Sequence, residues 1–328
     1  MALHNAWYED KKWVWVLLPI TILFFGLSKL RKLFFKVGLF SSSKPEAFVI
    51  IVGNISVGGN GKTPTVIAVA EYLLGQGYRC GVLSRGYAGS QTQFPHLVED
   101  NDEPSLVGDE PTLMQHRLSC PVVIDPKRLR GANFLVESHH CDVIICDDGL
   151  QHYALKRDFE IVVMDGRGVG NGFLIPMGPL RESVSRLNSV DVVIFNGQAN
   201  NDIFAVADKS ASMILEPEQW VNVKTGEIKT SLSVQAATAI AGIGDPNRFF
   251  STLAGMGIRC EKNIGFADHY AYKSSDIPEG MVLMTEKDAV KCKSFAHGNC
   301  WYLQVSGNMS ENIYKLIDNK LKMYQQYV

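Results

Sequence analysis

The sequence predicts a doubly wound α/β protein, a parallel sheet covered by helices on both faces. Three observations predict it: short runs rich in Val and Ile, helical stretches that alternate with those runs, and a Gly-rich turn directly after the first run. Continuous β-branched runs separated by helices are the pattern of strands buried on both faces. The 328 residues, 46% of them apolar, suffice for one large or two ordinary domains with real cores. A net charge of -2 argues against a general nucleic-acid binder, which needs a basic excess. Seven scattered cysteines with no Cys-x-x-Cys pair argue against zinc or a disulfide framework and for a reducing compartment.

At the N-terminus, residues 13–26 are apolar except for Thr21, with Lys11 and Lys12 before them and Lys29, Arg31, Lys32 and Lys36 after. Fourteen helical residues make roughly 21 Å, short of the roughly 20 residues that span a bilayer. A basic stretch and a second apolar patch (Leu33, Phe34, Phe35) follow, where a cleaved signal would place small residues. Residues 1–40 are therefore read as a retained membrane-anchoring helix with a basic flank, either a short span or a helix at the headgroup level.

Beyond residue 40 the pattern predicts strands at 48–52, 80–83, 122–124, 143–145, 161–164 and 192–195, with helices at 63–74, 110–118 and 129–138 between them. Ligands in such sheets bind at the carboxyl ends of strands. After the first strand comes Ser56-Val57-Gly58-Gly59-Asn60-Gly61-Lys62-Thr63-Pro64. The ending matches a phosphate-binding loop: backbone N–H groups and a helix N-terminus cradle phosphate, Lys62 offsets its charge and Thr63 binds Mg²⁺. Ser56 stands where the standard pattern has Gly, and Pro64 suits the first helical turn. Residues 41–220 are thus expected to form a nucleotide-binding domain of the P-loop NTPase type. The later Gly-rich stretch 166–172 fails the dinucleotide fingerprint, because Asn171 stands where its third Gly is required.

Asp147 and Asp148 end the 143–145 strand, which is how P-loop proteins present a carboxylate to Mg²⁺ or its water shell. Adjacent residues on an extended backbone point opposite ways, so one faces the metal and the pattern leaves open which. Cations for developing phosphoryl charge are offered by Lys127, Arg128 and Arg130 after the 122–124 strand, and by Arg181. Asp109 reads equally as a general base and as a helix N-cap. Residues 221–230 look like a hairpin linker centred on Thr225-Gly226, and 231–328 a smaller C-terminal α/β lobe with strands at 239–242 and 282–285 and a helix at 246–256. Thr285 reads as an N-cap with Asp288 closing the pair. His269 lies in a loop.

Taken together, the anchor, Gly58 through Pro64, Ser84-Arg85-Gly86-Tyr87, Gly108-Asp109-Glu110-Pro111, Asp147 through His152, Pro179-Leu180-Arg181-Glu182, Phe266-Ala267-Asp268-His269-Tyr270 and Thr285-Glu286-Lys287-Asp288 resemble, in order, the tetraacyldisaccharide 4'-kinase family, lipid A pathway kinases of Gram-negative bacteria. The resemblance implies transfer of the ATP γ-phosphoryl group to the 4'-hydroxyl of an acylated glucosamine disaccharide 1-phosphate at the cytoplasmic face of the inner membrane, with membrane lipids as further partners. It also implies that Lys62, Asp109, His269, Arg128 and Arg181 are catalytic. Ser56, Val57, Gly58, Gly59, Asn60, Gly61, Lys62, Thr63, Gln151, His152 and Glu182 would hold the nucleotide, and Thr63, Asp147 and Asp148 the metal. Leu150 stands where the family often has an aromatic residue. The other class of protein with such a loop, the membrane-associated ATPase switch of the deviant Walker A type, carries Lys where this chain has Val57.

Overall fold

A computed structural model of the chain describes residues 2–9, 11–197 and 209–326. The outer ends of the expected anchor (residue 1) and C-terminal lobe (327–328) lie outside them.

The chain opens with α1 (Ala2–Tyr8), a 3-10 turn (Lys12–Leu17) and the long helix α2 (Leu18–Lys36). Pro19 sits in the first turn of α2, where a missing N–H costs nothing, so it starts the helix and does not break it. This corrects the expected fourteen-residue anchor. Lys12–Lys36 is 25 residues long with a mean hydropathy of 1.8 over its most apolar window, and only 11% of that window is buried. By length and composition it can cross a bilayer. Lys29, Arg31, Lys32 and Lys36 lie on the same helix as the apolar run, not beyond it.

Next come β1 (Phe48–Gly53), α3 (Lys62–Gly75), β2 (Cys80–Ser84), β3 (His96–Leu97), the single turn α4 (Pro104–Val107), α5 (Asp109–Arg117), β4 (Val122–Ile124), α6 (Arg128–His139), β5 (Val143–Asp147), β6 (Phe159–Asp165) and β7 (Val192–Asn196). The second half holds β8 (Ser210–Asn222), β9 (Ile228–Lys229), β10 (Ala237–Ala241), α7 (Pro246–Gly255), β11 (Lys262–Gly265), β12 (Met281–Thr285), α8 (Glu286–Cys292), β13 (Cys300–Met309) and α9 (Glu311–Gln325).

All strands belong to one sheet in the order β11-β10-β12-β13-β8-β7-β6-β1-β5-β2-β4-β3, with β9 on β8. From β4 to β8 the strands are parallel, and so are β13, β12, β10 and β11; the two blocks meet at the antiparallel pair β8–β13. β8 runs through the 220/221 boundary, and its pairing with β13 from Met213 to Asn222 joins the halves along a ladder. The 221–230 segment forms the β8–β9 turn, with Gly226 at a positive φ.

Central β1 shows why the sheet is covered on both sides. Phe48, Ile50 and Val52 pack into one cluster with α3 and with Ile313, Ile317 and Leu321 of α9. Val49 and Ile51 pack into another with Ala132 and Leu135 of α6. Alternation along a strand sends successive side chains to opposite faces, and here both faces are dry.

Register then positions the site. Val52 pairs with Asp147, so the loop after β1 and the Asp pair after β5 emerge at the same edge. The approach is close: a Cβ on Gly53 would lie 2.8 Å from Cβ of Leu150. Leu150 is fully buried there, so its departure from the family's aromatic is a packing change. The two blocks also bring their carboxyl ends together, since a Cβ on Gly244, after β10, would stand 3.0 Å from the Gly59 nitrogen.

α2 is fastened to this body. Thr21 Oγ1 accepts the Met177 N–H at 3.1 Å, and Lys32 donates to buried Glu182, which also accepts from Gln151 and Tyr153 at 2.8 Å each.

Candidate active site

Gly61 occupies the N-cap of α3 at φ +95°, and a Cβ there would fall 2.1 Å from Nδ2 of Asn196, so only Gly fits. Residues 59–64 line a cavity of about 590 Å³ whose other walls include Glu110, Arg167, Arg248, Asp268 and Lys287. Ser56, Val57 and Gly58 do not line it. The Ser56 hydroxyl accepts from Asn60 Nδ2 at 2.9 Å, the Val57 N–H donates to the Pro179 carbonyl, and Gly58 packs on Arg167. They shape the loop from behind, which is why Ser is tolerated at the usual Gly position.

Asp147 and Asp148 separate, as neighbouring residues must. Asp148, at φ +47°, accepts from Arg181 at 3.0 and 3.1 Å and lies 3.7 Å from Lys62 Nζ. Burial pushes its carboxyl up, but Lys62 and then Arg181 outweigh this and hold it below the usual value. Asp147 is 1% exposed; one oxygen accepts from Ser84 at 3.3 Å and the other, Oδ1, has no partner among the described residues. Burial, and next the charge of Glu110, push it up to about 7. A buried carboxylate with a spare oxygen in negative company fits a divalent cation. No cluster of three ligating side chains exists among the described residues, which suits an ion that takes most of its ligands from water and phosphate. Asp147 offers the free oxygen, and Asp148 is engaged by Arg181 and Lys62.

Arg128 is the arginine that reaches inward. It donates to the carbonyls of Asp125 at 2.9 Å and Asp147 at 3.0 Å, whereas Arg130 is spent on the Asp125 carboxylate. Among the described residues the Lys127 side chain makes no comparable contact to the strand end.

Asp109 is the first residue of α5, and Gly108 takes the cap position at φ +99°. A Cβ on Gly108 would meet the Tyr87 carbonyl at 2.7 Å, which explains why the Ser84–Tyr87 and Gly108–Pro111 motifs belong together. Nδ1 of His269 lies 3.0 Å from both Asp109 oxygens. Burial pushes Asp109 up, but the His269 hydrogen bond and the Lys287 charge outweigh it and hold the carboxyl low. The same hydrogen bond raises His269, against burial. Lys287, in the first turn of α8, stands 3.1 Å from Glu110, 3.3 Å from Asp268 and 3.8 Å from Asp109. Thr285 caps α8 and also donates to Asp288 at 2.6 Å. The cap reading holds for Thr285, but the Asp288 carboxylate closes no capping box: it accepts the Thr285 hydroxyl and, at 2.9 Å, the Gly242 N–H, and a cap pattern says nothing about what Lys287 beside it will meet.

Gln151, His152 and Glu182 do not line the cavity. Nor do Asp109, His269, Arg128, Arg181, Asp147 and Asp148, and Glu182 and Gln151 belong to the network that receives Lys32. His152 lies among cations: burial, then Arg128, Arg85 and Arg31, push it down to about 4. Glu110, Asp268, Lys287, Arg167, Asn196 and Arg248 were not singled out from the sequence. The first three sit in the motifs of the family resemblance and Arg167 in the Gly-rich stretch 166–172, where a signal existed.

A phosphate loop with Lys and Thr, an acidic strand end behind it and a carboxylate–histidine pair tied to the opposite wall define a P-loop phosphotransferase. Comparison with known proteins narrows this. The family model for tetraacyldisaccharide-1-P 4'-kinase matches residues 13–322, and the chain belongs to that family. It is 51% identical over 308 residues to the tetraacyldisaccharide 4'-kinase of Pseudoalteromonas atlantica, covering 93% of this chain and 99% of that one. To the Haemophilus influenzae tetraacyldisaccharide 4'-kinase it is 46% identical over 310 residues, covering 93% and 92%. Among solved structures it is similar to LpxK from Aquifex aeolicus, described as an "apo" form in complex with ATP, with a TM-score of 0.80, 28% identity and 94% and 99% coverage.

The buried Asp147 carboxyl makes a stability prediction. Its folded pKa lies above the ordinary value, so between that value and about 7 the folded chain keeps a proton the unfolded chain has released. The stabilisation is present at low pH and lost as pH rises through about 7. In magnesium-free buffer, Asp147→Asn is expected to melt above wild type at pH 8, by less at pH 5, and level with it only below the ordinary Asp value of about 4, the gap at pH 8 closing when magnesium is added. Glu286, raised to about 7 by burial despite Arg117, has the same sign and leaves a residual slope in the variant. A variant melting below wild type at pH 8 would refute the account.

Proposed function

We propose that the chain is a tetraacyldisaccharide 4'-kinase, an ATP-dependent transferase of lipid A synthesis, and that the residues described above carry the reaction. The supporting observation is that one cavity is bounded by the phosphate loop on one side and, on the other, by Glu110, Asp268 and Lys287, which grip the Asp109–His269 pair. Family membership does not favour the ATPase switch.

Phosphoryl transfer goes through a loose transition state, so catalysis is positioning and charge neutralisation. Residues 59–63 present amides to the β- and γ-phosphates of ATP, and Lys62 turns from Asp148 to the phosphate oxygens. Asp109 accepts the proton of the 4'-hydroxyl as its oxygen bonds to the γ-phosphorus and the bond to ADP breaks. His269 holds the Asp109 carboxylate in place and ionised. Magnesium, when bound, supplies charge neutralisation on the phosphates, with Thr63 and Asp147 as its protein ligands. Arg181 is held at the strand ends by Asp148, available to developing charge.

The acceptor is an acylated disaccharide 1-phosphate that arrives from the membrane. Arg31 on the anchor helix and Arg85 and Arg128 on the body all bear on His152, so cationic charge leads from the helix to the strand ends. The exposed faces of Trp13, Trp15, Ile20, Ile22, Leu23 and Phe25 on the same helix suit lipid. The helix is retained, because Lys32 and Thr21 complete buried contacts of the folded body. Lys32 near one end and Trp7 just ahead of the other both contact the body, and lysines flank the apolar run on each side, which suits a helix lying on the cytoplasmic face of the inner membrane.

Asp109→Ala is expected to lose about 10²- to 10⁴-fold in transfer of label from γ-labelled ATP to the acylated disaccharide, with nucleotide binding intact. Wild-type transfer would remove Asp109 from the role. His269→Ala withdraws the hydrogen bond that keeps Asp109 low, so burial prevails, the base protonates at higher pH and the acid limb of kcat/KM moves upward. An unmoved limb would separate His269 from the base. Replacing Ile22 and Leu23 together by Asp should release the protein from membranes washed at high salt, and undiminished recovery in the membrane pellet would count against α2 as the anchor.

A further inference from the structure

The Gly-rich stretch 166–172, which fails as a dinucleotide loop, makes contacts that no part of the reaction above uses. Arg167 leaves the end of β6 and spreads over the back of the phosphate loop. Its Nη2 donates to the Gly59 carbonyl at 3.1 Å and to Asn60 Oδ1 at 2.9 Å, while Nε holds Asp165 at 2.9 and 3.1 Å. Asn196 completes the grip by donating to the Asn60 carbonyl at 3.1 Å. In a trans peptide the N–H points away from the carbonyl. Fixing the Gly59 and Asn60 carbonyls therefore also fixes which way the Asn60 and Gly61 amides point, and those amides are the phosphate donors of such a loop.

The guanidinium of Arg167 is itself backed by α1. The Tyr8 ring lies 5.8 Å from its Cζ, within cation–π range. α1 is seated firmly: Trp7 Nε1 donates to the Pro176 carbonyl at 2.9 Å, and the Trp7 carbonyl accepts the Asn171 N–H at 2.9 Å. Gly170 makes the fit possible, since a Cβ there would lie 3.0 Å from the Trp7 carbonyl and 3.1 Å from Tyr8 Cε1. The glycines thus admit α1, and Arg167 carries its contact to the loop.

We propose that α1 belongs to the nucleotide site: Tyr8 holds Arg167, and Arg167 is a positioning residue that keeps the phosphate-loop amides turned toward ATP. Membrane attachment is the work of α2, and α1 ahead of it serves nucleotide affinity. The inference rests on residues 59–63 binding the ATP phosphates.

The test uses the full chain in detergent, binding of a non-hydrolysable ATP analogue by calorimetry, and KM and kcat with the acylated acceptor. Tyr8→Leu should weaken analogue binding and raise KM for ATP by about three- to tenfold, the size of a partly buried cation–π contact. In that variant kcat should change much less, and membrane recovery should equal wild type. Tyr8→Phe, which keeps the ring, should restore most of the lost affinity. Arg167→Met should weaken binding by about tenfold or more, since it removes charged hydrogen bonds, and Arg167→Lys should recover part of it. Unchanged affinity in Tyr8→Leu, or equal losses in Tyr8→Leu and Tyr8→Phe, would overturn the proposal. Lys62→Ala separates the two readings: if it binds the analogue as well as wild type, the phosphate loop is not the ATP site and the underlying reading fails.

Discussion

Carboxylates gather at the carboxyl edge of the sheet, and the structure depends on how their charge is balanced. Taking a charge out of water is costly unless a partner arrives with good geometry, and here the partners come from distant parts of the chain. Lys287, from α8, holds Asp109, Glu110 and Asp268. Lys62 and Arg181 share Asp148. Lys32, from the anchor helix, and Arg186 meet Glu182. Each pairing ties a segment to the site, so assembling the fold and assembling the site are one event. Asp147 is the exception, and its unpartnered oxygen marks where positive charge is still wanted.

The same principle connects membrane to chemistry. α2 presents apolar side chains outward and inserts Lys32 and Thr21 into the body, so it is a structural element and, as proposed above, the anchor. In the reading proposed above, a lipid acceptor enters along this helix, whereas ATP comes from water. The cleft between the two parallel blocks, closed where Gly59 meets Gly244, is where both can be held.

Much of the first block was legible in the sequence because its strands are continuous apolar runs; β1, β2, β4, β5, β6 and β7 all appear where such runs stand. β8, β13 and α9 were not read. β8 is a long strand interrupted by Glu216, Pro217 and Glu218, polar on the side that faces water, and α9 shows its buried stripe only as Ile313, Ile317 and Leu321. Those elements owe their place to packing on neighbours already formed. The helix geometry places Pro19 in the first turn of α2, and the helix carries the apolar run on through the basic residues to Lys36.

From sequence alone came the phosphate loop, the strand-end Asp pair, the base and its histidine, and the family they resemble. The loop and the Asp pair follow from local spacing, since backbone turns and strand ends are set by neighbouring residues; the roles of Asp109 and His269 are what the family resemblance implies. Tertiary structure decided which partner each side chain meets. It gave Asp148 to Arg181 and left Asp147 a spare oxygen, sent Gln151 and Glu182 to the anchor helix, brought Lys287 to three carboxylates and laid Tyr8 against Arg167. Electrostatic and hydrogen-bond partners are chosen by distance in space, and no spacing along the chain encodes a contact between residues 8 and 167 or 109 and 269.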